Sequence, residues 1–385
     1  VVEETMNAQP AAGLRVFTPY SLDTLVAGAA RLRPQTIAFA DRWRACSYAV
    51  IATQVAALAR LFADCGLQQG ERLLFLGGAE ISLVTGLIAA LRGGFEPVLA
   101  PLDLNPEELS AFARAVNAAA LIAPTDYGEL KPIDACFQVA AAVASIRLVA
   151  TLGPGEIDGA VDLSPAAVLR FAAAHPDDGL ERGKPAPAPP RIVTLDRRNH
   201  KPIAHEQATL MAASFDFSAR AEIGRGTPIL STLPPTSFAG LVAGPFAALL
   251  SGATLHLHGP FAADDFLKSA KQAGHAHLVI PAAIAPDLAD AAILEGLASA
   301  VLVSRLADRF TPPPPFACPC PLIDLYAIDE STTVAEPRRG AQAVQPAPEP
   351  HYVGLDEARI LTVERIGGQA LAFRGAAVST EATLA

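Results

Sequence analysis

From Ser21 onward the chain alternates between apolar residues at helical spacing and short unbroken apolar runs closed by Gly, Pro or Asn. SLDTLVAGAARLRP (21–34) has the spacing of an amphipathic helix, with Ser21 as its N-cap and Pro34 as its stop. Residues 38–47 predict a hairpin turning through Asp41-Arg42, and 48–65 a strong helix ended by Gly66. A buried strand follows at 72–76, a helix at 81–91 stopped by Gly93-Gly94, and a second strand at 96–100. Asn105 before Pro106-Glu107-Glu108 opens the next helix, because Asn caps well and Pro suits the first turn. The next strand is 119–123. Strands alternating with helices across short breaks predict a parallel, doubly wound sheet.

A Pro-rich stretch at 179–190 closes this first unit, and a second starts at Arg191. Its pattern predicts a strand, a loop, a helix at about 205–214, a strand at 229–233, an apolar helix at about 239–250 and a strand at 254–258. A helix at about 262–273 and a strand at 277–280 follow, then further helices and strands to Tyr326. Residues 335–350 are again Pro-rich, and 352–375 alternate as short antiparallel strands do. The expectation is an α/β protein: stacked, doubly wound, mostly parallel sheets flanked by helices, plus a small C-terminal antiparallel β subdomain. Its parts are 1–190, 191–335 and 350–385.

Composition narrows the function classes. Of 385 residues, 51% are hydrophobic and 18% charged, which describes a well-buried globular chain. A net charge of -10 excludes non-specific nucleic-acid binding, which needs a basic face. The first ten residues are acidic and polar, unlike a signal peptide, so a cytoplasmic protein is expected. Heavy use of Ala, Arg and Pro suggests a bacterial source with a GC-rich genome. Residues 226–263 carry no Asp, Glu, Lys or Arg before Ala263, but five prolines interrupt them, so a buried core and not a membrane span is expected. The five cysteines are odd in number and scattered, and Cys318 and Cys320 have one residue between them. All five read as reduced, mostly buried thiols.

His256 with His258, and His275 with His277, have spacing that supplies metal ligands in some proteins. Strand positions of this kind more often have one member packed and one exposed, which is the expectation here. Gly153, Gly155 and Gly159 have the wrong spacing for a dinucleotide fingerprint, and no GxSxG nucleophile elbow occurs.

RIVTLDRRNHKPIAHEQATL (191–210) reads as strand, loop and helix start, a place where phosphates are commonly seated, yet it has no Gly, Ser or Thr between Leu195 and His200. Four other segments give it a context. SYAVIATQVAALARLFADCGLQQGERLLFLG (47–77), LIAALRGGFEPVLAPLDLNPEEL (87–109), the run from LPPTSFAG to LVIPA (233–282) and LIDLYAIDESTT (322–333) stand in the order of the adenylate-forming superfamily's motifs. Over roughly 15–375 the chain resembles the large N-terminal domain of that superfamily: acyl- and aryl-CoA synthetases, peptide-synthetase adenylation domains and luciferases.

The resemblance assigns roles. Placed by Lys201, the 193–201 stretch takes the position of the superfamily's Gly- and Thr-rich phosphate loop without a gap. Leu195 and Arg198 replace two glycines, Asp196 and Arg197 replace two threonines, and Thr194 is the one hydroxyl left. Glycines let backbone N–H groups approach phosphate oxygens, whereas Asp196 brings negative charge. Arg197, Arg198 and Lys201 are cations able to offset it, although exposed charge runs are usually just solvated. In YAIDE, Tyr326 takes the adenine-stacking position and Glu330 that of the magnesium-binding, catalytic Glu, while Asp329 stands where a Thr contacts phosphate. Lys201 and Glu330 are thus the candidate catalytic residues. Thr194, Arg197, Arg198, Tyr326 and Asp329 are candidate cofactor ligands, and Glu330 the metal ligand. Phe238, Gly240, Ser304 and Arg305 fall at acyl-pocket positions.

The resemblance also implies a ribose-binding Asp and a small C-terminal domain that the sequence does not reach, so a large domain standing alone is expected. Three functions follow. One is a non-adenylating homologue that binds an acyl or aryl carboxylate, a CoA-type ligand or a protein partner. Another is an active AMP-forming acid–thiol ligase using ATP and Mg²⁺, with an atypical loop or a separate C-terminal domain. The last is a structural subunit of a multienzyme assembly.

Overall fold

A computed structural model describes residues 17–379 except 154, 176–188, 289–291, 307–312, 314, 344, 354–357 and 367–369. The Pro-rich 179–188 therefore lies outside the described residues. Two compact units emerge, one built on Ser21–Gln207, the other on Ala208–Leu233 and Phe238–Thr380.

In the first unit α1 (Leu22–Leu32), the hairpin β1 (Ile37–Ala40) with β2 (Ala45–Ser47), and α2 (Tyr48–Asp64) precede the sheet. Then come β3 (Arg72–Leu76), α3 (Ile81–Gly93), β4 (Glu96–Ala100), α4 (Pro106–Ala115), β5 (Ala118–Ala123) and α5 (Pro132–Ala142). β6 (Leu148–Thr151), β7 (Val161–Asp162), α6 (Pro165–Ala174), β8 (Ile192–Asp196) and β9 (Lys201–His205) complete it. The punctuation works as the sequence predicts. Gly94 closes α3 in the left-handed region at φ 79, and the Asn105 carboxamide accepts from the Glu107 and Glu108 amides while Glu108 accepts from the Asn105 amide. The strands lie in the order β7-β6-β5-β3-β4-β8-β9, parallel except for the antiparallel β8–β9 pair. Leu74, Leu76, Val98, Leu121 and Val193 from four of these strands pack with Leu109 and Phe112 of α4 in one buried cluster.

Two sequence expectations change here. The predicted helix at 205–214 begins at Gln207, because 201–205 form β9 and turn the chain back on β8. The first unit also ends near 207 and not at 190, since β8 pairs with β4 and carries the hairpin with it.

The second unit holds α7 (Gln207–Arg220), β10 (Ile229–Ser231), α8 (Phe238–Leu241), a π turn at Val242–Phe246, α9 (Ala247–Ser251), β11 (Leu255–Leu257), α10 (Ala263–Ala273) and β12 (His277–Pro281). β13 (Ser299–Arg305), β14 (Leu322–Ile328) and β15 (Thr332–Pro337) follow. The predicted single helix at 239–250 is broken because Pro245 has no N–H to continue the ladder and Gly244 leaves helical geometry. The Ser214 hydroxyl donates to the Val242 carbonyl at this break, 2.8 Å away. In this unit β14-β13-β12-β10-β11 run parallel, and β15 closes one edge antiparallel to β14. β16 (Pro350–Val353), β17 (Ala358–Ile366) and β18 (Ala370–Arg374) form the expected small antiparallel sheet. Inside the unit, the side chains of Asp324 and Arg338 are fully buried against each other, joined by contacts of 2.6 and 2.8 Å. No helix among the described residues is long and apolar enough to cross a membrane.

Candidate functional site

The loop at 196–201 is a tight hairpin turn. Asp196 and Lys201 face each other across the last register position, and Arg197–His200 make the turn, with His200 in the left-handed region at φ 52. Asp196 itself organises the turn. Its carboxylate accepts from the Arg198 amide at 2.9 Å and from the Asn199 carboxamide at 2.6 Å. An Asp bonding the backbone two residues on is a common turn device, and here it engages a loop amide from within. The Arg197 guanidinium donates to Asp103 at 2.8 Å in an exposed pair. Lys201 is exposed at the start of β9.

Thr194, the surviving hydroxyl, is turned into the core. Its Oγ1 lies 2.8 Å from His205 Nε2, and both residues are fully buried. Burial pushes the His205 imidazole down to about 3, so it is neutral. A neutral ring and a hydroxyl satisfy each other without bringing charge into the interior. Asp103 and His205 are partners that sequence reasoning missed. His205 carried no signal in the sequence, because Lys201 and Pro202 hide the strand; in the folded hairpin Ile203 faces Thr194 and His205 is the next inward position.

In the second unit the expected residues gather at the C-terminal ends of β13 and β14. Register sets Ser304 beside Tyr326 and Arg305 beside Ala327. Asp329 follows β14 with φ 46 and meets the Arg305 guanidinium at 2.8 Å. The carboxylate standing where a phosphate-contacting Thr was expected is therefore matched by a cation from the adjacent strand. Glu330, one residue on, accepts from the Phe238 amide at 2.5 Å, binding the β14 turn to the start of α8. Phe238 and Gly240 are buried in that segment. Tyr326 is 1% exposed, and burial, reinforced by Asp324, raises its phenol well above the usual value. Among the described residues, the buried Ser304 hydroxyl has no hydrogen-bond partner.

The histidine pairs separate. His258 contacts Ser269, His275 the Gly296 carbonyl and His277 Ser299, while burial lowers His256. Among the described residues no three His, Cys, Asp or Glu side chains gather to hold a metal ion.

A doubly wound unit ending in a hairpin, a second sheet whose strand ends carry Tyr326 and Glu330, and a small antiparallel sheet together make the fold of the adenylate-forming enzymes. Residues 26–189 match the family of AMP-binding enzymes. No curated protein matches the sequence. The apo structure of MbtA from Mycobacterium smegmatis is similar over 97% of this chain and 71% of its own, with 20% identity and a TM-score of 0.70. The anthranilate CoA ligase AuaEII bound to anthranoyl-AMP is similar over 94% and 70%, with 13% identity and a TM-score of 0.69. A putative long-chain-fatty-acid CoA ligase from Rhodopseudomonas palustris is similar over 94% and 89%, with 14% identity and a TM-score of 0.68.

Proposed function

We propose that this chain is a non-adenylating relative of the acyl- and aryl-CoA synthetases that binds a small acyl or aryl carboxylate. The observation carrying this reading is the Asp196 carboxylate, which holds the Arg198 amide and the Asn199 carboxamide inside the hairpin turn. A nucleotide's phosphates fit such a turn poorly, because they meet a fixed negative charge and a donor already engaged. Thr194 is occupied by His205, and Tyr326 offers almost no surface for an adenine to stack on. Loss of one positioned donor in transition-state stabilisation costs on the order of a hundredfold in rate or more, and several are altered together here. The carboxylate class is suggested by the Ser304 hydroxyl beside Arg305, which has no partner among the described residues, and by similarity to a fold that in AuaEII holds anthranoyl-AMP.

Calorimetry with ATP and Mg²⁺, together with carboxylate-dependent pyrophosphate exchange over a panel of aliphatic and aromatic acids, tests the reading. We expect no exchange, no heat from ATP, and a thermal shift with at least one acid. Robust exchange with any acid overturns it. The competing reading, an active ligase, is favoured by one observation: Lys201 stays exposed at the end of the turn. It requires Lys201→Ala and Glu330→Ala to abolish a measurable activity.

A further inference from the structure

The segment Phe316-Ala317-Cys318-Pro319-Cys320-Pro321 leads into β14. Prolines at 319 and 321 fix φ on both sides of Cys320 and remove two N–H donors, so the backbone here has few alternatives. The chain bends at 319–320, and the two thiols on either side of Pro319 come together with Sγ atoms 2.8 Å apart. Cys320 is buried, while Cys318 is half-buried and retains access to solvent. The remaining thiols differ in setting: Cys46 and Cys136 are buried, and Cys65 is exposed at the end of α2.

We propose that Cys318 and Cys320 are a reversible dithiol–disulfide site that accepts oxidising equivalents from low-molecular-weight disulfides. Cys318, the accessible member, attacks as its thiolate on one sulfur of a disulfide RSSR. The RS–SR bond breaks, a Cys318–SR bond forms, and RS⁻ leaves to take up the proton that Cys318 released. The Cys320 thiolate then attacks the Cys318 sulfur, forming the intramolecular bond and expelling the second RS⁻, which takes up the Cys320 proton. In balance, two protein thiols and one RSSR give one protein disulfide and two RSH.

The order of attack follows from the surroundings. Cys318 is half-buried and meets the incoming disulfide first, whereas Cys320 is buried, and burial first, then its contact with the Cys318 sulfur, push the Cys320 thiol up to about 12. Once Cys318 carries the SR group its sulfur has neither a charge nor a proton, so the part of the Cys320 shift that comes from Cys318 is lost while the part from burial stays. The sulfurs are close enough that closure needs only a small further approach. Because β14 begins two residues after Cys320 and carries Asp324 and Tyr326, the cross-link forms at the entry of the strand that bears the YAIDE turn.

The test uses the full-length reduced protein titrated with glutathione disulfide, quenched with iodoacetamide and mapped by peptide mass. In wild type the 318–320 peptide should lose two hydrogens, resist alkylation and recover on adding dithiothreitol. In Cys320→Ser the same peptide should hold one glutathione on Cys318. Reading that peptide alone keeps the exposed Cys65 from contributing. The wild-type measurement does not depend on how either variant folds, and Cys318→Ser should leave Cys320 unmodified. A wild-type peptide that stays fully alkylatable under conditions that glutathionylate Cys65, or that ends as a stable glutathione adduct, overturns the proposal.

Discussion

His205 gives the first unit an acid sensitivity that can be separated from everything else in the chain. Its ring is fully buried against Thr194 and titrates at about 3, against 6.5 for an ordinary His. Between those values the unfolded chain takes up a proton that the folded one refuses, so stability is fully present above about pH 6.5 and falls as pH drops. At pH 5 the gap is about 1.5 units, which at 1.36 kcal/mol per unit predicts a loss of about 2 kcal/mol, growing to about 5 kcal/mol near pH 3. His277, lowered to about 4 by burial and by His275, titrates in the same direction, so wild type alone is not diagnostic. The informative comparison is His205→Gln, which keeps a side-chain partner for Thr194 and does not titrate. Urea unfolding at pH 7.5 and pH 5 should show wild type losing about 2 kcal/mol more than the variant over that interval. If the two lose stability in parallel, the buried neutral imidazole is not what the hairpin rests on, and the reasoning fails.

Three further outcomes are expected. Asp324→Ala strands the buried Arg338 guanidinium and should cost about 3–5 kcal/mol, whereas the apolar pair Asp324→Leu with Arg338→Met should cost far less, both read as urea midpoints. Glu80 is raised to about 7 by burial and then by Asp41. An acid with a raised folded pKa loses stability as pH rises from about 4.5 to 7, so Glu80→Gln should gain up to about 3 kcal/mol at pH 8 and nothing at pH 4. Asp196→Ala removes two acceptor contacts in the turn and should cost about 1–3 kcal/mol of stability while tightening inorganic pyrophosphate binding. Unchanged pyrophosphate binding in calorimetry would show that Asp196 is not what repels it.

The strands Arg72–Leu76 and Glu96–Ala100, and the helix opened by Asn105, were legible because each signal is local: an apolar run, a cap, a glycine stop. β9 was not, because Lys201 and Pro202 argue against a strand in isolation. Pro202 is tolerated there since β9 is the outermost strand of its sheet and a missing N–H costs no ladder bond on the open side. The sequence assigned Arg305 and Asp329 separate roles. Their ion pair depends on the β13–β14 register, which only the folded sheet sets. Likewise the charge of Asp196 was visible from the sequence, but not that it would bend back onto its own loop.

The junction of β8 with β4 has a consequence for the order of assembly. It rests on the pairing of Val98 with Val193, residues far apart in the chain, whereas β3 and β4 are joined by the single crossover through α3 and β8–β9 by the short turn Arg197–His200. Closing a long loop costs entropy before its contacts repay it, so the β8–β9 hairpin should form on its own and dock late. A newly made chain would then expose the β4 edge until residues beyond 190 arrive, and that edge is where premature pairing with a second copy would begin.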